Sequence, residues 1–335
     1  TQNTLIGGLA GDAITTASYN TAVGYDSLSS ATTGAANTAV GRTSLQYTTT
    51  GANNTALGYG ALADNTTASN NTAVGYTALL RNTTGGYHVA VGANALDANT
   101  TGAENTAVGF GSLGANTTGN YNTGLGQGTL DSSTTASNNT AIGWNALQTN
   151  TTGAQNVALG SQSLYSNTTA SNNVAIGFQA LYANTTGTRN SSVGTSSLEA
   201  NTTGNYNTSI GYQALDANTT GTHNTAVGDT ALTQATTASN NTAVGQGALF
   251  ANTTGTQNVA IGVNALDANT TGSYNIGIGS GALGSLTTPT HNTALGFNAG
   301  TTNITGGDNV YIGNYAGNSS TGVRNTYLGY SAGYS

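Results

Sequence analysis

Two aliphatic positions recur every 17 residues along the chain. The first precedes a Gly, as in Val74-Gly75, and the second is a Leu five residues further on, as in Leu79. The Asn that opens each copy lies at 3, 20, 37, 54 and 71, and then from 105 to 309 in steps of 17, with His88 in its place in the sixth copy and a last step of 16 to Asn325. The chain therefore holds 20 copies. A fixed short period predicts a repeat architecture in which each copy packs on the next.

We number the positions of the repeat 1 to 17 from that Asn and call each copy a coil. The consensus is N-T-A-V-G-Y-x-A-L-x-A-N-T-T-G-x-x, with Gly at position 5 in all 20 coils and Leu at position 9 in 16 successive coils, Leu28 to Leu283. Seventeen residues are too few for a pair of helices, and Gly, Asn and Thr disfavour a helix in every copy. A fixed aliphatic register is not what a disordered chain needs. The pattern predicts an all-β fold, a parallel β-solenoid of about 20 coils with 17 residues per coil.

Alternation along the strand segment places positions 2 and 4 on one face and position 3 on the other. We expect positions 2 and 4 to face inward, opposite the Leu at position 9, with turns at the Gly of positions 5 and 15. Position 3 then faces outward, and its small residues suggest a lateral seam between chains, at Ala107, Ala141, Ala158 and Ala175. A second internal sheet is the alternative. If the two faces are exchanged, position 4 becomes the seam.

Stacked coils turn each position into a ladder with a spacing of about 4.8 Å. We expect the Asn of position 1 to form an amide ladder, in which His88 fills one rung. One coil cannot be stable alone. Burying one Val and one Leu contributes about 3 to 6 kcal/mol, whereas ordering each backbone residue costs about 1 to 2 kcal/mol. Stability must therefore come from ladders shared between coils and from contacts between chains.

The two ends of the repeat array differ from its middle. We expect one continuous solenoid over residues 1–335, with an atypical coil at 1–19 and atypical coils at 292–335. Position 9 is Gly only there, at Gly11, Gly300, Gly317 and Gly333. Exposed strand edges recruit other strands, so we expect an end-to-end joint between subunits formed with the bulky position 3 residues Leu5, Tyr311 and Tyr327. A chain that starts at Thr and has no Met indicates a processed product.

Composition excludes several functions. Only 4% of the residues are charged and the basic residues are four scattered arginines, so nucleic acid is not an expected partner. There is no Cys and no apolar run of about 18 residues, which argues against thiolate sites and a membrane span. We expect no enzyme and no cofactor, because His88, His223 and His291 lie in coils 6, 13 and 17 and cannot meet. Glu199 and Asp216, in adjacent coils, form a weak candidate for Ca²⁺.

Two further patterns concern sugars. Sequons of the form N-x-T recur at position 12 and are candidate glycosylation sites: Asn65, Asn82, Asn99, Asn116, Asn150, Asn167, Asn184, Asn201, Asn218, Asn252, Asn269 and Asn303. The Thr pairs could equally carry O-linked sugars, or the whole match could be an accident of turn and ladder residues. Aromatic residues at position 6 form either an adhesive strip for sugars or a shoulder that covers the turn: Tyr25, Tyr59, Tyr76, Phe110, Trp144, Phe178, Tyr212, Phe297 and Tyr330.

The stretch NTAVGYTALLRNTTG, residues 71–85, resembles the repeats of phage tail-fibre-like proteins and is similar to the head repeats of trimeric autotransporter adhesins. The resemblance covers essentially the whole chain. It implies a left-handed parallel β-roll, commonly trimeric, used as a shaft or adhesive stalk outside the cell. No coiled coil, membrane anchor, receptor-binding tip or chaperone domain accompanies the repeats in this sequence.

We therefore expect a structural subunit of an extracellular fibre or filament that is secreted, cell-surface or virion-associated. Its expected partner is itself, as a trimer or a head-to-tail polymer, with surface glycans as a further candidate. The alternatives are the shaft fragment of a phage tail fibre and an ice-binding Thr-rich solenoid. Ice binding needs two Thr columns on alternating positions of one strand, and the adjacent Thr of positions 13 and 14 do not provide them.

Overall fold

The computed structural model describes residues 2–333, and the chain divides into two compact units, Thr1–Thr169 and Ala170–Ser335. Each unit is an all-β parallel solenoid with one three-residue strand per coil. The strands of the first unit are β1 Thr4–Ile6, β2 Thr21–Val23, β3 Thr38–Val40, β4 Thr55–Leu57, β5 Thr72–Val74, β6 Val89–Val91, β7 Thr106–Val108, β8 Thr123–Leu125, β9 Thr140–Ile142 and β10 Val157–Leu159. Those of the second are β11 Val174–Ile176, β12 Ser191–Val193, β13 Thr208–Ile210, β14 Thr225–Val227, β15 Thr242–Val244, β16 Val259–Ile261, β17 Ile276–Ile278, β18 Thr293–Leu295, β19 Val310–Ile312 and β20 Thr326–Leu328. Residues 2–333 contain no helix.

Within each unit, neighbouring strands pair in parallel and in the register of the repeat. Val108 lies between Val91 and Leu125, and Val244 pairs with Val227. The offset is 17 residues throughout, except between β19 and β20, where Val310 pairs with Thr326. The fold class and the 17-residue coil are confirmed. Handedness, and continuity of the solenoid across the two units, stay predictions.

The two faces of the strand are the reverse of what we expected. The position 3 side chains are buried in the coil, and Ala107, Ala141, Ala158 and Ala175 are all 0% exposed. Positions 2 and 4 face outward, where Leu57, for example, is 48% exposed. Alternation sets positions 2 and 4 opposite position 3, but it does not say which side is inside. The interior of a 17-residue coil is narrow, and one Leu column fills it together with small residues at positions 3 and 8.

Both predictions that rested on an outward position 3 are therefore corrected. The four Ala residues of the proposed seam form the core of the first and second units and offer no surface to another chain. Tyr311 is also 0% exposed and stacks on Tyr327 with their ring centroids 5.9 Å apart. Tyr311 is thus a core residue and not part of a subunit joint. Leu5 is 42% exposed and Tyr327 is partly exposed.

The chain turns by means of left-handed residues at fixed positions. The Gly of position 5 has φ from +118° to +141°, and a Cβ on Gly7 would lie 2.5 Å from the carbonyl oxygen of Gly24 in the next coil. Position 5 is therefore closed to other residues, as predicted. The Gly of position 15 does not have a positive φ, contrary to expectation. Positive φ occurs instead at positions 7, 9 and 17.

Position 9 is the least expected of these turns. All sixteen Leu residues, Leu28 to Leu283, have φ between +51° and +56°. This conformation costs a non-Gly residue roughly 1 to 2 kcal/mol. It directs the side chain into the core, where every one of these Leu is 0% exposed. The cost is offset because a buried Leu contributes about 1.5 to 3 kcal/mol.

Candidate interaction surfaces

The outward face of the strands, which we define as positions 2 and 4, is uncharged in all 20 coils. Position 4 is always aliphatic and position 2 is mostly Thr. Many of the aliphatic side chains are more than a third exposed, including Leu57, Leu125, Ile210 and Leu295. Within each unit the strands pair in register, so these residues form two adjacent columns on one sheet face. Such a surface suits a neutral partner and offers nothing to bind an ion.

The aromatic residues of position 6 lie beside this face and remain about half exposed. In coils 2 to 5 they form a stack: the Arg42 Cζ atom lies 6.0 Å from the Tyr25 ring centroid and 5.6 Å from that of Tyr59, whose ring stacks on Tyr76 at 5.5 Å. The ring faces in this stack therefore point along the ladder and cover one another. Trp144 has the polar residues Gln127 and Ser161 as its position 6 neighbours in sequence.

A cavity of about 550 Å³ opens in the first unit, where coil 7 has Gly at positions 7 and 10. It is lined by Asn94, Asp97, Phe110, Gly111, Gly114, Ala115, Asp131 and Ser132. The Oδ1 atoms of Asp97 and Asp131 lie 3.7 and 3.0 Å from the point where a Gly114 Cβ would be. Burial raises the pKa of both carboxyl groups, and the charge of Asp131 raises that of Asp97 further, while Arg81 lowers it.

A second carboxylate pair lies in the second unit. Burial, together with the neighbouring Glu199, raises the pKa of Asp216 to about 6. The two residues occupy position 10 of adjacent coils, as the sequence suggested. Among residues 2–333 no group of three or more His, Asp and Glu side chains is placed to hold a metal ion. Neither pair has a third acidic ligand.

The sequon Asn residues are not on the surface. All twelve are 0% exposed. They form a second amide ladder inside the coils, in which Asn99 Nδ2 donates to Asn82 Oδ1 at 2.8 Å and Asn116 Nδ2 donates to Asn99 Oδ1 at 2.9 Å. An N-linked glycan cannot be attached to these amides in the folded chain, so the glycosylation prediction is wrong for the folded state. Ladder spacing, applied to position 12 as it was to position 1, could have revealed this.

The ladder of position 1 is present in both units. The Asn20 backbone N–H donates to Asn3 Oδ1 at 2.9 Å, and Asn20 Nδ2 donates to the Gly34 carbonyl at 3.0 Å. His88 replaces one rung, as predicted: its Nδ1 accepts the Asn105 backbone N–H at 3.2 Å and its Nε2 lies 2.7 Å from the Gly102 carbonyl. These partners require a neutral ring protonated at Nε2. Burial lowers the pKa of His88, which keeps it neutral.

The other two histidines lie at position 17 and stack on Tyr rings of the preceding coil. His223 lies 4.8 Å from Tyr206 and His291 lies 5.0 Å from Tyr274, centroid to centroid. Both pairs are in the second unit, whereas His88 is in the core of the first.

Adjacent Thr residues differ in role. The position 13 hydroxyl donates to the carbonyl of the next coil's position 13, as Thr66 Oγ1 does to Thr83 O at 3.0 Å. The position 14 Thr, such as Thr67 and Thr84, is exposed. One residue of each pair is thus structural and the other faces water, so the pair does not form the double Thr array of an ice-binding surface.

These features define the class: a tandem-repeat parallel β-solenoid with two internal Asn ladders and an uncharged outer sheet face. A search of protein-family models and of curated proteins found no match to this chain. No helix among residues 2–333 is long and apolar enough to span a membrane.

Proposed function

We propose that the protein is a structural subunit of an extracellular fibre or filament, whose chains associate side by side through the outward face of positions 2 and 4. The single observation that carries this proposal is the outward aliphatic residue of position 4, which is present in every coil of each unit and is partly or largely exposed. Contiguous exposed apolar surface of this kind marks interaction sites. The lateral seam thus moves from position 3 to position 4, the outcome expected if the faces are exchanged.

The magnitude of the contact favours a multi-chain assembly. Covering one partly exposed aliphatic side chain contributes roughly 0.5 to 1 kcal/mol, so the ten coils of one unit supply on the order of 5 to 10 kcal/mol. Association itself costs roughly 4 to 15 kcal/mol. A face of ten coils is therefore marginal, and contact along both units or with more than one neighbour is needed. This requirement fits a fibre or a trimeric shaft better than a simple dimer.

End-to-end stacking remains part of the proposal, with Leu5 and Tyr327 as the joint residues. β1 pairs only with β2, and β20 only with β19, among the described residues. Leu5 in β1 and Leu328 in β20 are 42% and 74% exposed. An extracellular location is supported by the repeat resemblance. Surface glycans remain a proposed further partner, through exposed aromatic residues such as Trp144.

The test is a charge placed on the outward face. Leu57→Glu combined with Leu125→Glu should leave the coil folded, because both side chains are nearly half exposed. It should convert assemblies seen by electron microscopy and analytical ultracentrifugation into monomers. Thr67→Glu combined with Thr84→Glu is the matched control, since these residues are exposed but off the face. Assembly that survives the Leu substitutions, or a wild-type chain that is monomeric at all concentrations, contradicts the proposal.

Ice binding is the second candidate, and one structural observation favours it. Thr at position 2 and the aliphatic residue at position 4 share the outward face, as in Thr55 and Leu57 or Thr72 and Val74. This places a Thr column beside an aliphatic column on one outward strand face, whereas the Thr of positions 13 and 14 are adjacent along the chain. The exposed aromatic residues of position 6, such as Tyr76, project beside the same face and interrupt its flatness.

Thermal hysteresis separates the two functions. A fibre subunit should show none, and Thr72→Lys should not change the freezing behaviour of its solutions. Strong hysteresis that Thr72→Lys and Thr106→Lys abolish, with the exposed position 14 variant Thr84→Lys unaffected, would put ice binding first.

A further inference from the structure

The position 12 Asn ladder has a regular hydrogen-bond pattern within each unit. Where two successive coils both have Asn at position 12, the amide nitrogen of the second donates to the Oδ1 of the first and to a carbonyl three residues later in its own coil. Asn99 Nδ2, for example, donates to Asn82 Oδ1 at 2.8 Å and to the Gly102 carbonyl at 3.1 Å. Each Oδ1 atom is therefore satisfied by the coil that follows.

Three of these Oδ1 atoms are buried and have no hydrogen-bond partner: those of Asn116, Asn218 and Asn269. In the coil that follows each of them, position 12 is not Asn: it is Ser133, Ala235 and Leu286, respectively. All six residues are 0% exposed. The unpaired acceptors are thus a direct consequence of three breaks in the ladder, one in the first unit and two in the second.

At the Ser133 break the acceptors keep the positions that they have in an intact rung. Around Gly102, an intact rung, Asn99 Oδ1 and the Gly119 carbonyl oxygen lie 2.5 and 2.4 Å from the point where a Cβ would be, with the donor Asn116 Nδ2 at 3.2 Å. Around Gly119 the equivalent oxygens, Asn116 Oδ1 and Ala136 O, lie 2.4 and 2.1 Å from that point. Two acceptors converge there as before, and the donor between them is missing because Ser replaces Asn.

Ser133 adds a third polar group. Its Oγ is buried and has no partner in the protein. The Ala136 carbonyl accepts Asn122 Nδ2 at 2.8 Å, which leaves its second lone pair for another donor. Ser carries a hydroxyl where Asn carries a carboxamide, and the difference in side-chain volume is about that of one water molecule. A buried water is stable where it makes about three hydrogen bonds to otherwise unsatisfied groups.

We propose that the Ser133 rung binds one water molecule in place of the Asn amide nitrogen. The water donates hydrogen bonds to Asn116 Oδ1 and to the Ala136 carbonyl, and accepts one from the Ser133 hydroxyl. It thereby continues the ladder from coil 7 to coil 8 and satisfies all three groups. This is a binding site for a single neutral donor-acceptor molecule, distinct from the outward face and independent of the proposed function.

The other two breaks in the ladder, both in the second unit, differ from the Ser133 break in the side chain that replaces Asn. At Ala235 two acceptors converge in the same way, with Asn218 Oδ1 and Ala238 O at 2.3 and 2.2 Å from the Gly221 Cβ point, but there is no hydroxyl. A water there makes one hydrogen bond fewer and exchanges faster. At Leu286 a larger apolar side chain takes the place of the amide and is itself 0% exposed, so this break stays dry.

Water ¹⁷O magnetic relaxation dispersion on the full chain tests the proposal. Ser133→Asn supplies the missing amide and should remove the dispersion amplitude of one long-lived water, with a higher denaturation midpoint. Leu286→Asn is the matched control: it also completes a rung, but should leave the amplitude unchanged. A crystal structure should show an ordered density peak between Asn116 and Ser133 and none at Leu286. Unchanged amplitude in Ser133→Asn, or no peak at a resolution that shows other buried waters, would overturn the proposal.

Discussion

The regular coils and the C-terminal coils fill the same interior with opposite residues. In coils 2 to 10 a small residue at position 3 faces Leu at position 9, as with Ala107 and Leu113. In coils 19 and 20 the large residue is at position 3 and Gly is at position 9. A Cβ on Gly317 would lie 2.1 Å from Tyr311 Cδ1, and one on Gly333 would lie 2.3 Å from Tyr327 Cε1.

The first coil repeats the exchange with an aliphatic residue. A Cβ on Gly11 would lie 2.7 Å from Leu5 Cδ2. Positions 3 and 9 therefore share one volume, which one large side chain fills; in coil 18, where both are small, Tyr311 of the next coil lies against Gly300. The Gly residues near the ends and the bulky residues at position 3 are two parts of one packing solution. Packing within the coils therefore accounts for both irregularities.

The largest expected effect on stability comes from removing the large position 3 side chain of a C-terminal coil. Tyr311→Ala should lower the free energy of unfolding by about 3 to 5 kcal/mol, because Gly300 and Gly317 leave nothing to fill the space. Adding Gly317→Leu should recover part of the loss by restoring the arrangement of the regular coils. Chemical denaturation measures both. Tyr330→Ala, at a residue that is 77% exposed, serves as control and should change little. Equal loss in both single variants would show that Tyr311 is not a core residue.

Adding a large side chain to a regular coil should lower the free energy of unfolding by less than the Tyr311→Ala substitution does. Ala107→Leu should lower the free energy of unfolding by about 1 to 3 kcal/mol, since Leu113 already occupies the shared volume. Combining it with Leu113→Gly reproduces the Leu5 and Gly11 pair and should be less destabilising than Leu113→Gly alone. Thermal denaturation with sedimentation velocity distinguishes packing from assembly. A variant that folds as stably as wild type but no longer associates would return position 3 to the surface.

The dependence of stability on pH through Asp216, in the second unit, is expected to be smaller than the effect of either core substitution. The pKa of Asp216 is raised in the fold from 3.8 to about 6, so the folded chain holds this proton more tightly than the unfolded chain. Protonated Asp216 therefore stabilises the fold below pH 3.8, and this contribution is lost as the pH rises to about 6. After solvent screening it amounts to on the order of 1 kcal/mol in the free energy of unfolding. Glu199→Gln should flatten this slope in pH-dependent denaturation, whereas Glu104→Gln, at an exposed residue of the first unit, should not. An unchanged slope in Glu199→Gln contradicts the coupling.

The contribution of His88, in the first unit, should be weak and of the opposite sign. His88 has a lowered pKa in the fold, so the unfolded chain binds its proton more tightly. Stability is therefore lost as the pH falls below about 6.5. His88→Asn restores the consensus rung and should remove this loss of stability. The loss itself corresponds to a difference of less than one bound proton between the unfolded and folded chain. His223→Asn, at a position 17 residue of the second unit, is the comparison. A loss that persists in His88→Asn would show that another group is responsible.

The sequence determined most of the fold because its information is periodic. A 17-residue period with one aliphatic strand segment allows only stacked β coils, and an invariant Gly at position 5 fixes a left-handed turn. The position 1 ladder and the role of His88 followed from the same constancy. These conclusions need only local geometry and repetition, which a single sequence contains.

Only the tertiary structure decided which face is inside, because alternation is symmetric and the choice depends on how much volume the closed coil can hold. That volume admits one large side chain per coil, which places Ala107 in the core and Leu125 on the surface. The sequon Asn residues entered the core for the same reason: their amides pair with those of the coils before and after. Neither fact is visible along one coil, since both arise from contacts between coils.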